Sequence, residues 1–561
     1  WFLGCSIVLA ISLFGGHPQM TIFIIYSFSV FYLWQSIQQK VVTKTVFFRL
    51  VKVLGLFILL SLVQTLPTME FLHYTARGSL DFASSVRDSL PIHNLMTIFF
   101  PDLSMNDYGP QHFWEWRIYI GTGALILLFI AILFGQPRIN IFFLFLALTS
   151  MVLALGERTP LYEIFYKLVP GFKFIRVPSR FILLIHFAIS TMGAYGIYII
   201  TKKVGSPLIT SNFQRMEKKW LVLILLFFIV FPFLMVYSVN WELNKVNKNL
   251  VAYFTRNLLF FPIIFWLIYS KKYIRVLKGI LVILIFTDLF VYRGQFNQVK
   301  SSVLEMHQIM EKNVVTKAIR NETKGTRIFN KTLFPLYLNW GLIHGYTNAW
   351  GYNPFVLKNY KGLEISSSNT LNFLGVKYLE IKKNFFKKKG EQLIPWSVSL
   401  LKLNNNRLAR AFFVRNSELV PELELQTLID SDDFKPLEKV YLKKNVTRNQ
   451  DNNAPLEFKV IEESDNQNKF ILRVPEKPEG FFVVTEIYYP GWQAIVNGRN
   501  QEVLQAYSLY RAIKIERRNN LIEFKFSPWS FKVGAAISGF FWLITLFYLV
   551  GFNRARGKIS R

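Results

Sequence analysis

The chain has 561 residues, of which 52% are hydrophobic and 17% aromatic, a content too apolar for an ordinary water-soluble enzyme. The formal net charge of +30 could suit nucleic acid, but the basic residues flank apolar runs, which argues against such a partner. Cys5 is the single cysteine, which excludes an internal disulfide and a cysteine metal site.

Apolar runs long enough to cross roughly 30 Å of hydrocarbon recur along the chain, and they predict an α-helical polytopic membrane protein. We place the spans at about 1–15, 20–36, 47–66, 117–135, 139–155, 180–200, 219–239, 252–270, 275–292 and 531–552. The predicted organisation is a transmembrane domain over 1–293 with outer loops at 67–116 and 156–179, an extracytoplasmic domain over 294–528, and a last helix with a basic tail over 529–561.

Lysine and arginine concentrate in alternate connections between these spans. By the positive-inside rule, the basic connections and the C-terminal tail are cytoplasmic. The loops at 67–116 and 156–179 and the large polar domain then face outward.

Two of the predicted outer segments carry candidate polar ligands. In the turn "GGHPQM", His17 and Gln19 are candidates for a donor or acceptor contact, and a plain polar turn is the alternative. In the loop at 67–116, a sugar site could be lined by Arg77, Asp81, Arg87, Asp88 and His93, since a loop of this length usually has a function. We interpret "HFWEWRIY" in the same loop as an aromatic interfacial belt.

The stretch "GFKFIRVPSRF" places Lys173, Arg176 and Arg180 on the outer side, where the orientation rule disfavours cations. Pro178 suits a helix start, and a helix N-terminus with two guanidinium groups suits phosphate. We predict a pocket for a lipid-linked phosphate here. The alternative is that these arginines anchor the helix among lipid headgroups.

Asp288 is the only acidic residue inside a predicted span, and either pairing or function would explain it. Beyond it, short alternating segments such as "NKFILRVPE", "YRAIKIER" and "NLIEFKFS" predict an antiparallel β-sandwich. "IVNGRNQEV" predicts a hairpin with an Asn-Gly turn. The basic cluster "KKNFFKKKG" is either a solvated loop or a contact for an anionic wall polymer.

Several motifs occur in the order seen in the YfhO-like family of bacterial membrane proteins, which this chain resembles over nearly its whole length. They are "GHPQ", "ARGSLDFASS", "FFPDL", "WRIYIGTGAL", "GERTPLYEIFYKLVPGFKFIRVPSRF", "LNFLGVKYL" and "TEIYYPGWQAIVNGR". The resemblance implies a GT-C type fold in the bacterial cytoplasmic membrane, with the C-terminus in the cytoplasm. It also implies a glycosyltransferase that uses a polyprenyl-phosphate sugar to modify a cell-surface polymer such as lipoteichoic acid, or a glycolipid.

The resemblance assigns donor-phosphate contacts to Arg176 and Arg180, and a site-facing turn to "GHPQ". The family's catalytic carboxylate belongs to a first outer loop that we expect to precede Trp1, so no catalytic residue is assigned. A divalent metal ion could accompany that carboxylate, although the sequence contains no metal motif. Two other functions stay open: a transporter or flippase for a lipid-linked substrate, and a non-catalytic scaffold of a surface-polymer assembly.

Overall fold

A computed structural model describes most of the helical and strand segments of the chain. The described residues are 2–76, 81–99, 113–203, 255–257, 259–263, 266, 274–296, 327–329, 347–351, 355–382, 393–396, 399–420, 425–443, 457–464, 467–473 and 479–559. The predicted span at 219–239, most of that at 252–270, and nearly all of the cluster "KKNFFKKKG" lie outside them. The chain forms two compact units: Trp1–Phe57 with Leu80–Lys300, and Ile58–Ser79 with Ser301–Arg561.

The first unit is helical. Its helices are α1 (Phe2–Phe14), α2 (Pro18–Gln38), the first part of α3 (Thr43–Tyr74), α4 (Phe82–Ser85), α5 (Thr122–Phe134), α6 (Pro137–Ala154), α7 (Pro160–Leu168), α8 (Ile182–Lys203) and α9 (Ile274–Phe296). Helix α8 packs against α5 and α6 around an aliphatic and aromatic core. Proline occupies the first position of α2, α6 and α7, where a missing N–H costs no hydrogen bond.

Helices α5 and α8 approach each other closely because small residues lie where they meet. A Cβ built on Gly196 would lie 2.2 Å from the carbonyl oxygen of Leu127. Nearby, a Cβ on Gly193 would lie 3.4 Å from the carbonyl oxygen of Ala124. Packing of this kind is common between membrane helices, since lipid offers no hydrophobic force to drive them together.

Helix α3 continues past Pro67 to Tyr74, so the outer loop begins later than the sequence predicts. Proline removes one backbone donor from the helix. Within the second unit, the part of α3 that precedes Pro67 is hydrogen-bonded to the last helix, α10 (Trp529–Ile559). The backbone N–H of Val63 donates to Ser538 Oγ at 2.9 Å, and the indole of Trp542 donates to the carbonyl of Leu60 at 3.1 Å.

The rest of the second unit is rich in β-strands. They are β1 (Arg327–Phe329), β2 (Thr347–Asn348), β3 (Val376–Lys382), β4 (Leu393–Trp396), β5 (Ser399–Leu403), β6 (Ala411–Val414), β7 (Asn416–Leu419), β8 (Lys439–Leu442), β9 (Glu457–Ser464), β10 (Gln467–Arg473), β11 (Gly480–Ile487), β12 (Trp492–Val496), β13 (Arg499–Gln501), β14 (Leu504–Ala506), β15 (Tyr510–Ile515) and β16 (Asn519–Phe526). Short helical turns at Lys358–Lys361, Ser368–Phe373 and Leu425–Ile429 accompany them.

These strands form three sheets, with the orders β2-β1-β3-β5-β4, β6-β11-β15-β14-β8-β7 and β13-β12-β16-β10-β9. The six-stranded sheet is covered on both faces. Along β11, Val483 belongs to one core cluster, whereas Phe482 and Val484 belong to another that includes Phe470 and Phe524 of the last sheet. Successive side chains of a strand point to opposite faces, so β11 is continuously apolar from Phe481 to Val484 rather than alternating.

The β-rich region agrees with the prediction, and so does the hairpin between β12 and β13. Asn497 and Gly498 both have positive φ, 50° and 81°, as the tight turn requires. The predicted antiparallel pairing was wrong for some strands, because β1 pairs in parallel with β2 and β3, and β7 with β8. Parallel pairs need long connections, and short alternating segments do not indicate them.

The described residues contain five helices long and apolar enough to span a membrane. They are Pro18–Gln38, Thr43–Tyr74, Pro137–Ala154, Pro178–Ile200 and Trp529–Gly551. Phe2–Phe14 and Thr122–Phe134 are shorter apolar helices. This supports the predicted membrane-protein class.

Candidate anion site at the start of helix α8

The turn before α8 is held in a fixed conformation by its backbone and by aromatic packing. Gly171 adopts a left-handed conformation with φ of 82°, and Val177 does so with φ of 58°. A β-branched residue rarely adopts such a conformation, so the surrounding structure must impose it. The ring of Phe181 lies 4.5 Å from that of Phe23 and 5.9 Å from that of Phe172, measured between centroids.

The guanidinium of Arg180 is the centre of a polar cluster in this turn. Its Nε and Nη2 donate to Glu115 Oε1 at 3.0 and 2.7 Å. Its Nη1 donates to Gln19 Oε1 at 3.3 Å and lies 3.5 Å from His17 Nε2. Three segments that are far apart in sequence therefore meet at the Arg180 side chain. We call the following five residues the Arg180 cluster: His17, Gln19, Glu115, Arg176 and Arg180.

Arg176 joins the cluster through its backbone. Gln19 Nε2 donates to the Arg176 carbonyl at 2.6 Å, so the single amide of Gln19 links both arginines. The Arg176 Nε is buried and has no hydrogen-bond partner among the described residues. A buried donor without a partner is costly, and an external acceptor would relieve that cost.

The other predicted site residues are not in the cluster. The Lys173 ammonium lies 5.9 Å from the centre of the Tyr166 ring. Asp81 precedes α4, and its Oδ1 accepts the backbone N–H of Ser84 at 3.0 Å, so it caps that helix. Arg77 lies outside the described residues.

The sequence did not indicate Glu115 as a site residue, because its segment "HFWEWRIY" was interpreted as an interfacial belt. Only 6% of its side chain is exposed, and Arg180 neutralises it. One signal was available: an acidic residue inside an otherwise aromatic stretch has to find a partner when the stretch is buried. Nothing in the sequence identified Arg180 as that partner.

Asp288 has a structural explanation in the first unit. Its carboxylate accepts the Tyr119 hydroxyl at 2.7 Å and the backbone N–H of Thr122 at 3.0 Å. Thr122 is the first residue of α5, so Asp288 places negative charge at the positive end of that helix. This favours the pairing interpretation over the functional one.

The loop that carries Glu115 is built from short 3₁₀ turns at Ile92–Ile98 and Phe113–Trp116. Burial and the positive charge of Arg158 lower the pKa of His93 in this loop. The Thr97 hydroxyl accepts the Ile118 N–H at 3.1 Å, and the Asn94 amide reaches the Trp116 carbonyl at 3.4 Å. These contacts fix the backbone that follows Glu115.

Chemically, the Arg180 cluster offers guanidinium, amide and imidazole groups beside one paired carboxylate. Planar guanidinium groups suit phosphate or carboxylate, so the arrangement can hold an anion. Among the described residues, no group of three or more His, Cys, Asp or Glu could hold a metal ion.

No protein-family model matches the chain, and neither a curated protein nor a solved structure is significantly similar to it. The resemblance to the YfhO-like family therefore stays a prediction from the sequence motifs.

Proposed function

We propose that the protein is a membrane glycosyltransferase that moves a sugar from a polyprenyl-phosphate donor to a cell-surface polymer or glycolipid outside the cytoplasmic membrane. The observation that carries this proposal is the Arg180 cluster. Four of the predicted substrate-binding residues (His17, Gln19, Arg176 and Arg180) meet there, at the start of an apolar helix long enough to span a membrane.

The cluster would act on the leaving group. When the sugar–phosphate bond breaks, negative charge grows on the departing polyprenyl phosphate, and fixed guanidinium groups stabilise it. The two N–H groups of Arg180 that face Glu115 Oε1 fix the side chain in place before the donor arrives. Both of these hydrogen bonds engage Glu115 with Arg180, so we give Glu115 a positioning role and not that of the general base.

Phosphate recognition can be measured with farnesyl phosphate, and farnesol serves as the matched ligand without the charge. We expect the purified full chain in nanodiscs to bind farnesyl phosphate in preference to farnesol. Arg176→Gln and Arg180→Lys should weaken this binding about tenfold, because each removes charge-assisted hydrogen bonds to phosphate. Arg158→Gln, in the neighbouring loop, is the control and should bind as the unaltered chain does.

Transfer itself is tested with a radiolabelled polyprenyl-phosphate sugar and cell-envelope acceptor from the native host. The proposal predicts label in the polymer or glycolipid fraction, and less label with both arginine variants. Equal binding of farnesol and farnesyl phosphate, or equal transfer by all variants, would contradict it.

A further inference from the structure

A cavity of about 450 Å³ opens in the second unit, and no part of the proposed transfer reaction uses it. Its volume falls in the range of roughly 300–1,000 Å³ that is typical of small-molecule sites. Five aromatic side chains contribute to its lining: Phe71, Trp350, Phe355, Tyr360 and Tyr510.

The walls are held in place by hydrogen bonds rather than by the aromatic rings alone. The backbone N–H of Ala76 donates to the Val356 carbonyl at 2.9 Å, which ties the end of α3 to the segment that carries Phe355. Elsewhere in the lining, Asn348 Oδ1 accepts the Trp350 N–H at 3.2 Å, and the Tyr360 hydroxyl donates to the Ala349 carbonyl. The cavity is therefore largely formed before any ligand enters.

An ion pair lies among these aromatic groups. Arg327 Nη2 is 3.2 Å from Glu486 Oε1, and Arg327 Nη1 also donates to the Leu374 carbonyl at 2.9 Å and to Thr485 Oγ1 at 3.1 Å. Internal acceptors thus occupy most of the Arg327 donors. Glu486 is more open, with 32% of its side chain exposed, and Arg410 lies 3.6 Å from it.

Two guanidinium groups, those of Arg327 and Arg410, therefore lie beside the Glu486 carboxylate. An ionised carboxylate accepts strong hydrogen bonds from hydroxyl groups. The cavity consequently offers a fixed acceptor, Glu486, surrounded by flat apolar rings. A ligand that fits must carry hydroxyl donors on a compact body with apolar C–H faces.

We propose that this cavity binds a neutral saccharide, with the C–H faces of a sugar ring against Phe355 and Trp350 and its hydroxyls donating to Glu486. An acyl chain fits poorly, because it would cover the Arg327–Glu486 pair without satisfying it. An anionic group would meet the Glu486 carboxylate, while the Arg327 donors are already engaged. The inference does not depend on the transfer reaction and stands or falls separately from it.

The test uses saturation-transfer NMR on the full chain in nanodiscs, with the methyl glycosides of glucose, galactose and N-acetylglucosamine as probes. We expect saturable binding of at least one glycoside. Glu486→Gln and Phe355→Ala should each weaken it about tenfold. Glu418→Gln and Phe413→Ala are the matched controls: the first alters another ion-paired carboxylate, the second another half-buried ring, both outside the cavity.

The thermal midpoint of each variant shows whether it is folded. If Glu486→Gln is unstable, Phe355→Ala alone decides, because its ring is only half-buried. The proposal fails if none of the glycosides binds, if binding is the same in the cavity variants and the controls, or if decanoate displaces a bound glycoside.

Discussion

The Arg180–Glu115 pair is unequal in burial: 25% of the arginine side chain is exposed but only 6% of the glutamate. Loss of the arginine would leave a buried carboxylate without compensation. Loss of the carboxylate charge would leave a guanidinium that still reaches solvent and still contacts Gln19. The cost of breaking the pair should therefore depend on which side is removed.

We expect Arg180→Ala to lower the free energy of unfolding by about 3–5 kcal/mol, as for other broken buried pairs. Glu115→Gln should cost about 1–3 kcal/mol, because the amide can keep one hydrogen bond. The double variant should cost less than the sum of the two. Denaturant titration of the purified chain, followed by tryptophan fluorescence, measures all three values.

An exposed pair in the same unit is the control. Lys167 Nζ lies 2.5 Å from Glu163 Oε1, but about two thirds and one half of these side chains are exposed. Pairs of this kind contribute about 0.3–0.5 kcal/mol. A coupling energy for Arg180 and Glu115 no larger than this would show that the Arg180 cluster is not rigidly held.

How far the site can be predicted differs from residue to residue. The sequence singles out Arg180 and Gln19, which do meet in the structure, because a polar turn and cations on the predicted outer side stand out in an apolar sequence. It does not single out Glu115, since the role of this residue depends on a partner 65 residues away in sequence. Asp81 was chosen for its chemistry, but its carboxylate caps a local helix, an equally common use of aspartate.

At the level of elements, the apolar runs predict where helices occur better than where they end. Helix α5 begins at Thr122, five residues after the start of the predicted span, and Asp288 accepts the backbone N–H of this residue. Helix α3 passes Pro67, although proline commonly ends a helix. The start of α5 and the end of α3 depend on tertiary contacts, which a hydropathy pattern does not predict.

The contact between α5 and α8 can be tested at Gly196. We expect Gly196→Ala to destabilise the protein by about 1–3 kcal/mol, because the new Cβ would meet the Leu127 carbonyl oxygen and push the helices apart. Gly55→Ala in α3 is the control, since no atom lies within 4 Å of its Cβ position. There alanine should be neutral or stabilising, as it is the better helix former. Thermal unfolding in detergent measures both, and equal midpoints for the two variants would contradict close packing at Gly196.

At the scale of the whole molecule, composition predicted both the membrane class and the β-rich region. Helical segments belong to both compact units: α3 contributes to each, and the last helix groups with the β-rich region. The domain limits predicted from the sequence follow changes in polarity, whereas the two units are defined by contacts between residues. A polarity change and a packing boundary need not coincide, because an apolar helix can pack against a polar domain at its end.

Membrane orientation is the whole-molecule property that the charge pattern predicts most directly. Cys5 is the only cysteine, so Cys5→Ser gives a background for single-cysteine labelling. On that background, Ser431→Cys lies at an exposed position of the β-rich unit, and Gln39→Cys at an exposed position between α2 and α3. The positive-inside rule places the first outside the cell and the second in the cytoplasm. A membrane-impermeant maleimide should therefore label Ser431→Cys in intact cells, and label Gln39→Cys only after the membrane is opened. The reverse pattern would place the Arg180 cluster on the cytoplasmic side, where cations are ordinary, and the argument for an outer phosphate site would lose its main support.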